Sequence, residues 1–541
     1  MKKLPIGIQS IEKIRTQDYI YVDKTQFALE LIEGNAPHYF LSRPRRFGKS
    51  LFLSTLEEIF KGNKALFKGY HIAQSNYDWQ PYPVLYLDLS DVLNETTQDL
   101  KASLQRSIAK LAKSYNVTID IPSAQEGLGN LIEELSTKGR VAVLIDEYDQ
   151  PIIDNLHNTE VVEGNRRLLQ SFFKTLKSLD KHVQFTFITG ISRFSKVSIF
   201  SGANHLKDIS MDARYAAMMG YTQEEIGQYF GEYVQAITQD RNVQGQPSTE
   251  EEVLAEIKDW YNGYRFSKVE TYVYNPFSTL NYLDEKQPSS YWYATGTPSF
   301  LLEEIKQRPQ EAVSLSQMIA TQNDLSDISK VTRISLPALL FQTGYLTIQD
   351  YKVELHAYQL DFPNKEVRES FFGSMLEELG EGTLNSLKVS LMAEKLRESL
   401  RALALDTFVE IINTHFARIP YHAYQHAKEG FYQAFFLVCL ELSGIQTQGE
   451  VVTNKGRIDV LCELAGMFYI FELKVDQEAA IAIEQALDQE YSQRCRQQGK
   501  KILVMGVSFS STTRGIAEWQ GELLDEHGKL LRKLAPEARK T

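Results

Sequence analysis

The sequence predicts an α/β chain of several domains, and three observations carry that expectation. Apolar runs ending in acids alternate with helical periodicity over the first 215 residues or so. Gly48-Lys49-Ser50 stands where a short apolar run gives way to a helical pattern. A second strand, turn, strand, helix, strand pattern carrying acids recurs after residue 440. A chain of 541 residues exceeds one hydrophobic core, and at about 150 residues per domain it divides into roughly three. The boundaries fall as an α/β parallel-sheet domain with an N-terminal arm (1–215), a helical and winged-helix-like lid region (216–368), a helical linker (369–418) and a second α/β domain (419–541).

Composition narrows the classes. Apolar content of 43% and charged content of 24% are ordinary for a globular protein. A net charge of −12 supplies no global basic field, so contact with nucleic acid requires a local patch. Cys439, Cys462 and Cys495 form neither a paired framework nor a CxxC metal site, which points to a reducing, cytoplasmic setting. The start MKKLPIGIQS has no apolar core of a signal peptide. The most apolar run, 431–442, is shorter than the ~20 residues a membrane span needs and reads as a buried helix.

Taken in order, the leader holds Tyr19-Ile20-Tyr21-Val22, a short strand by composition, followed by Asp23 or Thr25 as cap of a helix through Phe27 and Leu31. It reads either as a packing arm or as a lid on the adenine side of a nucleotide. Tyr39-Phe40-Leu41 then enters a basic turn, 42–47, and the helix after Gly48 carries Leu51, Leu53, Leu56 and Phe60. A helix N-terminus offers unpaired N–H groups and the positive end of a dipole, which suits phosphate. In the phosphate-loop motif the Lys reaches the outer phosphates and the Ser hydroxyl ligates Mg²⁺, roles that fall to Lys49 and Ser50. Arg43 stands where the first Gly of that motif belongs, and Arg45, Arg46 and Phe47 complete the loop before Gly48.

Residues 83–90 form an apolar strand, two helical stretches follow, and Val141-Ala142-Val143-Leu144-Ile145 runs into Asp146-Glu147. An apolar run ending in acids is a parallel strand buried on both faces and emerging at the ligand edge of a sheet. At this place in phosphoryl-transfer sites an Asp holds the Mg²⁺ of the nucleotide, here Asp146, and an adjacent Glu, here Glu147, aligns and deprotonates water. After one more buried strand, 183–189, Ser192 and Arg193 stand ready to sense a γ-phosphate, or Arg193 forms a salt bridge.

From Gly220 the texture changes to helices and aromatic-rich pieces, among them Asp259-Trp260-Tyr261-Asn262-Gly263-Tyr264, Tyr274-Asn275-Pro276-Phe277 and Thr295-Gly296-Thr297-Pro298. A helix-to-strand junction over 339–348, with strands through Tyr358 and Phe362, suggests a β-wing. Aromatics with few basic residues among them read as core rather than as a nucleic-acid platform.

The C-terminal region carries a second constellation. Ile458-Asp459-Val460-Leu461 brings one acid forward, and a turn at Ala465-Gly466 leads into Phe471-Glu472-Leu473-Lys474. Side chains alternate along a strand, so Glu472 and Lys474 share a face, and the hairpin brings Asp459 to them. Converging carboxylates repel unless a cation lies between them, and Mg²⁺ suits that oxygen set. Lys474 is then placed to orient or deprotonate water for attack on a phosphodiester. Glu429, at the start of a helix, is a candidate third acid. Arg494, Arg496, Lys500 and Lys501 form a local basic patch or a solvated helix end, and His422 and His426 lack completing ligands for zinc.

Over nearly the whole chain the motifs resemble one family. Leu4-Pro5-Ile6-Gly7, Tyr21-Val22-Asp23-Lys24-Thr25, Arg43-Pro44-Arg45-Arg46-Phe47-Gly48-Lys49-Ser50, Leu144-Ile145-Asp146-Glu147-Tyr148-Asp149, the FSKVSIFSG string at 194–202 and Phe362-Pro363-Asn364 are similar to prokaryotic AAA-ATPase-like proteins with a C-terminal PD-(D/E)XK nuclease domain. The resemblance implies a P-loop NTPase core using ATP and Mg²⁺, a helical and winged-helix-like middle, and a nuclease fold in which Asp459, Glu472 and Lys474 form the motif and Glu429 the upstream acid. Ile458 replaces the Pro of the PD dipeptide. The expected function is an ATP-binding, ATP-hydrolysing switch coupled to a Mg²⁺-dependent nuclease on DNA or RNA, by analogy in defence against or maintenance of mobile DNA. The rival is an ATP-dependent scaffold whose nuclease fold binds a partner without cutting. Nucleic acid is the expected partner, no membrane is, and self-association is left open.

Overall fold

The computed structural model describes residues 1–193, 206–293, 318–326, 335–379, 386–417, 429–445, 447–452, 457–489, 491–495 and 499–536. The FSKVSIFSG string, the 295–298 turn, His422, His426 and Arg496 lie outside them. The chain divides into two compact units, Met1–Thr297 with Ile319–Val367, and Pro298–Met318 with Arg368–Thr541.

In the first unit the apolar runs become β1 (His38–Ser42), β2 (Val84–Asp88), β3 (Val141–Asp146) and β4 (Val183–Gly190), joined by the short β5 (Lys207–Asp208). They form one sheet in the order β2-β3-β4-β1-β5, with every pair parallel. β1 and β3 are buried at every position, as strands covered on both faces must be. The covering helices take their apolar faces from the 3.6-residue period. In α1 (Thr97–Ser114) these are Leu100, Leu104 and Ile108, in α2 (Ala124–Ser136) Leu128, Leu131 and Leu135, and in α3 (Thr159–Ser178) Leu169, Phe172 and Leu176. Each begins with a side-chain cap, from Thr96, Ser123 and Asn158.

The expected leader strand at Tyr19 to Val22 is reduced to one bridge, Lys3 to Tyr19. Ile20 and Val22 are instead buried in a core with Ile226, Phe230, Ile257, Tyr261 and Tyr282 of the middle region, so side-chain packing rather than a ladder holds the arm. Neither Asp23 nor Thr25 is the cap of the helix Thr25–Ile32; Lys24 stands at its N-cap without a side-chain cap bond, and Asp23 Oδ1 accepts from Thr25 N at 2.9 Å and Thr25 Oγ1 at 2.7 Å just ahead of it. The middle region opens with Gln223–Val243 and Glu250–Tyr261, both starting in capping boxes. The winged element is the helix Leu336–Thr343, Gly344 at φ +94°, and the antiparallel pair β7 (Thr347–Lys352) and β8 (Ala357–Asp361), with β6 (Met318–Thr321) on the far side of β8.

The second unit contains the helices Ser386–Arg401, Leu405–Phe416 and Glu429–Leu442, then a six-stranded sheet. Its strands are β9 (Thr447–Val452), β10 (Arg457–Leu464), β11 (Met467–Val475), β12 (Lys501–Ser510), β13 (Gly515–Leu524) and β14 (Leu530–Leu534), in the order β14-β13-β12-β11-β10-β9. The β10–β11 turn is Ala465-Gly466, with φ +52° and +74°, the left-handed pair a two-residue hairpin needs. β11 and β12 are parallel and are bridged by the helix α4 (Ala479–Asp488). Residues 431–442 form the expected buried helix, and among the described residues no helix is long and apolar enough to cross a membrane. The three cysteines form no disulfide and are buried in this unit.

α4 lies unusually close to β12 at Gly506, where a Cβ would stand 2.6 Å from both Ala479 O and Ile483 N. Gly506→Ala therefore forces the helix outward and lowers stability by about 1–3 kcal/mol, a loss to be read by denaturant unfolding of the second unit.

Candidate nucleotide and metal sites

The first site lies at the C-terminal ends of β1 and β3, with β4 between them. The helix Lys49–Phe60 starts directly after Gly48, whose φ of +92° reverses the chain and leaves open space where a Cβ would stand. Lys49 is buried, its Nζ held 3.3 Å from the carbonyls of Arg43 and Pro44 and 3.4 Å from Glu147 Oε1. Glu147 occupies a left-handed backbone position, φ +47°, and its buried Oε2 has no hydrogen-bond partner among the described residues. Burial, then the charge of Glu147, pushes the Asp146 carboxyl up to about 6, while a hydrogen bond from Ser50 and the charge of Lys49 oppose the shift. Ser50, Asp146 and Glu147 thus meet across β4, an oxygen set that fits a hard cation.

A cavity of about 440 Å³ opens onto this point. Arg45, Arg46, Phe47, Gly48, Lys49, Ser50, Glu147 and Gln150 line its polar end. Leader residues Pro5, Ile8 and Val22 and middle-region residues Met219, Tyr221 and Phe277 line the rest. The leader is thus both packing arm and cavity wall, and the middle-region lining carried no sequence signal beyond its aromatic content.

Arg193 lies elsewhere. It is buried, and its guanidinium pairs with Asp208 Oδ2 at 2.5 Å while its backbone N–H donates to Gln342 Oε1 at 2.7 Å. The expected phosphate sensor is therefore committed to an ion pair, and it is absent from the cavity lining. Ser192 is held in the same way by Asp149, whose Oδ2 accepts from Ser192 N at 2.6 Å. Burial raises the Asp149 carboxyl to about 6, the charge of Glu147 adds to the shift, and the Ser192 bonds hold it down.

The second site is on the six-stranded sheet. Val460 pairs with Phe471, so Asp459 and Glu472 follow on adjacent strands, and Asp459 Oδ2 accepts from Leu473 N at 2.8 Å. Glu472 is buried, with Oε1 accepting from Lys474 Nζ at 3.0 Å and from Gln485 Nε2 at 2.6 Å. Its Oε2 is buried without a hydrogen-bond partner among the described residues. Burial and then the charge of Asp459 push the Glu472 carboxyl up to about 7, against the pull of Lys474. The orphaned oxygen beside a second carboxylate fits a divalent cation, with Asp459 and Glu472 as its holders.

Gln485 reaches the site because α4 sits tightly at Gly506, directly across from Glu472 in the β11–β12 ladder. Nothing in the local sequence marks Gln485 as part of the site. Gln433 Nε2 donates to Asp459 O at 3.4 Å, and position 429 stands one helical turn earlier. The Glu429 side chain lies outside the described residues, and among those residues no group of three or more His, Cys, Asp or Glu is gathered for a metal. Of the basic residues read as a local patch, Lys500 and Lys501 stand away from the carboxylates, and the Arg494 side chain and Arg496 lie outside the described residues. Lys501 pairs with Met467, five residues from Glu472 and so roughly 17 Å down the strand. Lys500 is taken by Glu463 at 2.6 Å and the Phe468 ring.

Comparison with known proteins agrees with both halves. Residues 5–200 match the family described as predicted AAA-ATPase, and residues 427–519 match the PD-(D/E)XK nuclease superfamily. A protein of Azotobacter chroococcum mcd 1, described as an uncharacterized protein in the vnfD 5' region, is 37% identical over 535 residues, covering 97% of this chain and 99% of its own length. The chain belongs to this AAA-ATPase-like family with a PD-(D/E)XK domain. In this AAA-ATPase-like protein the first match takes in the leader, the phosphate loop and Asp146-Glu147, and the second takes in Asp459, Glu472, Lys474 and Gln485.

The raised Glu472 carboxyl makes a pH prediction. The folded protein holds this proton more tightly than the unfolded chain, so the favourable contribution is full at low pH and is lost as pH rises towards about 7. Glu472→Gln, which cannot ionise, should match wild type near pH 4 and become the more stable of the two by pH 8. Thermal midpoints measured across that range without added metal check the sign.

Proposed function

We propose that the protein is an ATP-binding and ATP-hydrolysing switch joined to a Mg²⁺-dependent nuclease that cuts DNA or RNA. One observation carries the reading. Each unit pairs a lysine with a carboxylate that keeps one buried oxygen without a hydrogen-bond partner among the described residues, the buried Lys49 with the half-buried Glu147 and the half-buried Lys474 with the buried Glu472. A structural ion pair saturates its acceptors when buried, because an unmade hydrogen bond there costs about 1–3 kcal/mol. Two such unsaturated pairs, each beside a second acid, suit phosphate chemistry.

In the first unit Lys49, Arg45 and Arg46 face the phosphates from the loop, and the apolar leader and middle-region walls take the base. Ser50 and Asp146 hold the metal, and Glu147 Oε2 accepts the proton of the attacking water. In the second, Asp459 and Glu472 hold the metal, Gln485 fixes the Glu472 carboxylate, and Lys474 orients the water or takes its proton. Mg²⁺ at either site supplies charge neutralisation to phosphate oxygens. Nucleotide state gates cutting, since both activities reside in one chain.

Purified protein with Mg²⁺, assayed on DNA and RNA with and without ATP, tests the whole reading. Glu472→Ala and Lys474→Ala should each lower cleavage by roughly 10²-fold or more. Lys49→Ala should lose ATP binding, and Glu147→Gln should keep ATP without turning it over. Cleavage that survives the two C-terminal substitutions refutes that site. An absence of cutting on every substrate and metal selects a scaffold that binds without cutting.

A further inference from the structure

We propose that Glu366 is a positioning residue for the nucleotide site, seating the phosphate loop through Trp292; the inference rests on the nucleotide reading above. Glu366 stands in the first turn of the helix Lys365–Leu379 and is buried. Its Oε1 accepts from the backbone N–H of Trp292 at 2.6 Å. The indole Nε1–H of Trp292 in turn donates to Arg45 O at 3.1 Å, inside the phosphate loop. Trp292 is itself buried, and its ring packs on Tyr345 at 5.2 Å. Gly344 has φ +94°, and a Cβ there would come within 2.7 Å of the Pro44 ring and 3.5 Å of Trp292 Cζ2. Pro44 and the indole therefore close on the same glycine, and a shift of Trp292 reaches the loop at two consecutive residues.

Three motifs noted in the sequence converge behind this contact. Asn364 Nδ2 donates to Asn262 O at 2.8 Å, joining Phe362-Pro363-Asn364 to Tyr261-Asn262-Gly263-Tyr264. Tyr264 packs edge-on against Phe47 of the loop at 4.8 Å. Asn275, from Tyr274-Asn275-Pro276-Phe277, caps the helix Pro276–Glu285 by accepting from Ser278 N. Around Glu366 the buried polar side chains of Ser278, Asn275 and Tyr264 gather, with Ser278 bearing on the Glu366 carboxyl and Asn275 and Asn364 on the Tyr264 phenol.

The arrangement responds to pH. Burial pushes the Glu366 carboxyl up to about 7, opposed by Ser278 and the Trp292 and Tyr293 backbone. The titratable groups that feel its charge are the phenols of Tyr261, Tyr264 and Tyr291, and its neighbour Lys365 lies over the Trp260 ring at 4.7 Å. An ionised carboxylate accepts a hydrogen bond more strongly than a neutral carboxyl. The grip on Trp292, and with it the seating of Arg45, tightens as pH rises through neutrality.

Calorimetric titration of the full chain with ATP and Mg²⁺ tests this. Trp292→Phe keeps an aromatic side chain, smaller than the indole, and removes the donor to Arg45, and it should weaken ATP binding between roughly threefold and tenfold, the value of one such bond. Glu366→Gln should match wild type at pH 6 and fall behind by a similar factor at pH 8; the ratio of the two cancels the titration of ATP itself. A folded Trp292→Phe with wild-type affinity, or a Glu366→Gln ratio that is flat from pH 6 to 8, overturns the inference while Lys49→Ala still loses ATP. If wild type and Lys49→Ala take up ATP alike, the nucleotide reading falls and this inference falls with it.

Discussion

The buried guanidinium of Arg43 is the interaction on which the rest of the first unit depends. It donates to Ser42 O at 2.9 Å, Ser210 O at 2.7 Å and Tyr215 O at 3.3 Å, and it lies 4.2 Å over the Phe266 ring. An arginine taken out of water is tolerated when carbonyls and an aromatic face replace the solvent. A glycine at this position would shape the loop through backbone freedom alone. Arg43 shapes it by binding the chain on either side, so the loop and the segment after β5 form one piece.

The neighbouring loop residues follow the same rule. Arg46 holds a left-handed φ of +67° without being glycine, a conformation that costs about 1–2 kcal/mol, and its guanidinium is offset by the Phe277 ring at 5.1 Å. Phe47 is clamped between Tyr264 and Phe266, and Arg45 O by Trp292. Every one of these partners belongs to the region after residue 215. The leader is tied to the same region by the buried Lys24–Glu225 pair at 2.6 Å, in which Glu225 also closes the capping box of its helix. Loop geometry and middle-region packing are thus one cooperative property, and a change in either is felt as a change in phosphate affinity.

Much of this was legible before any coordinates. Parallel strands buried on both faces announce themselves as apolar runs, and acids at their ends mark the ligand edge. Ala465-Gly466 between two strands could be little other than a tight hairpin, which brought Asp459 to Glu472. What stayed hidden depended on distant partners. The fate of Arg193 is decided by Asp208, on a strand next to β1, and no local pattern distinguishes a phosphate sensor from half of an ion pair. The basic residues near 500 are close to Glu472 through a helix but far from it along the strand, because a parallel crossover returns the chain to the opposite end of the sheet. The leader residues at 19–22 have strand propensity, yet apolar burial against the middle region outweighed pairing.

All three cysteines of the chain belong to the second unit, and all are buried. Burial raises the thiols of Cys439 and Cys462 well above their ordinary range, so thiolate is scarce at neutral pH. The protein therefore carries a built-in opening clock: alkylation proceeds as fast as the C-terminal sheet and its helices breathe, and the first unit contributes no signal. Sulfur chemistry can time the motions of one half of the molecule in the unmodified protein, with the other half silent by composition.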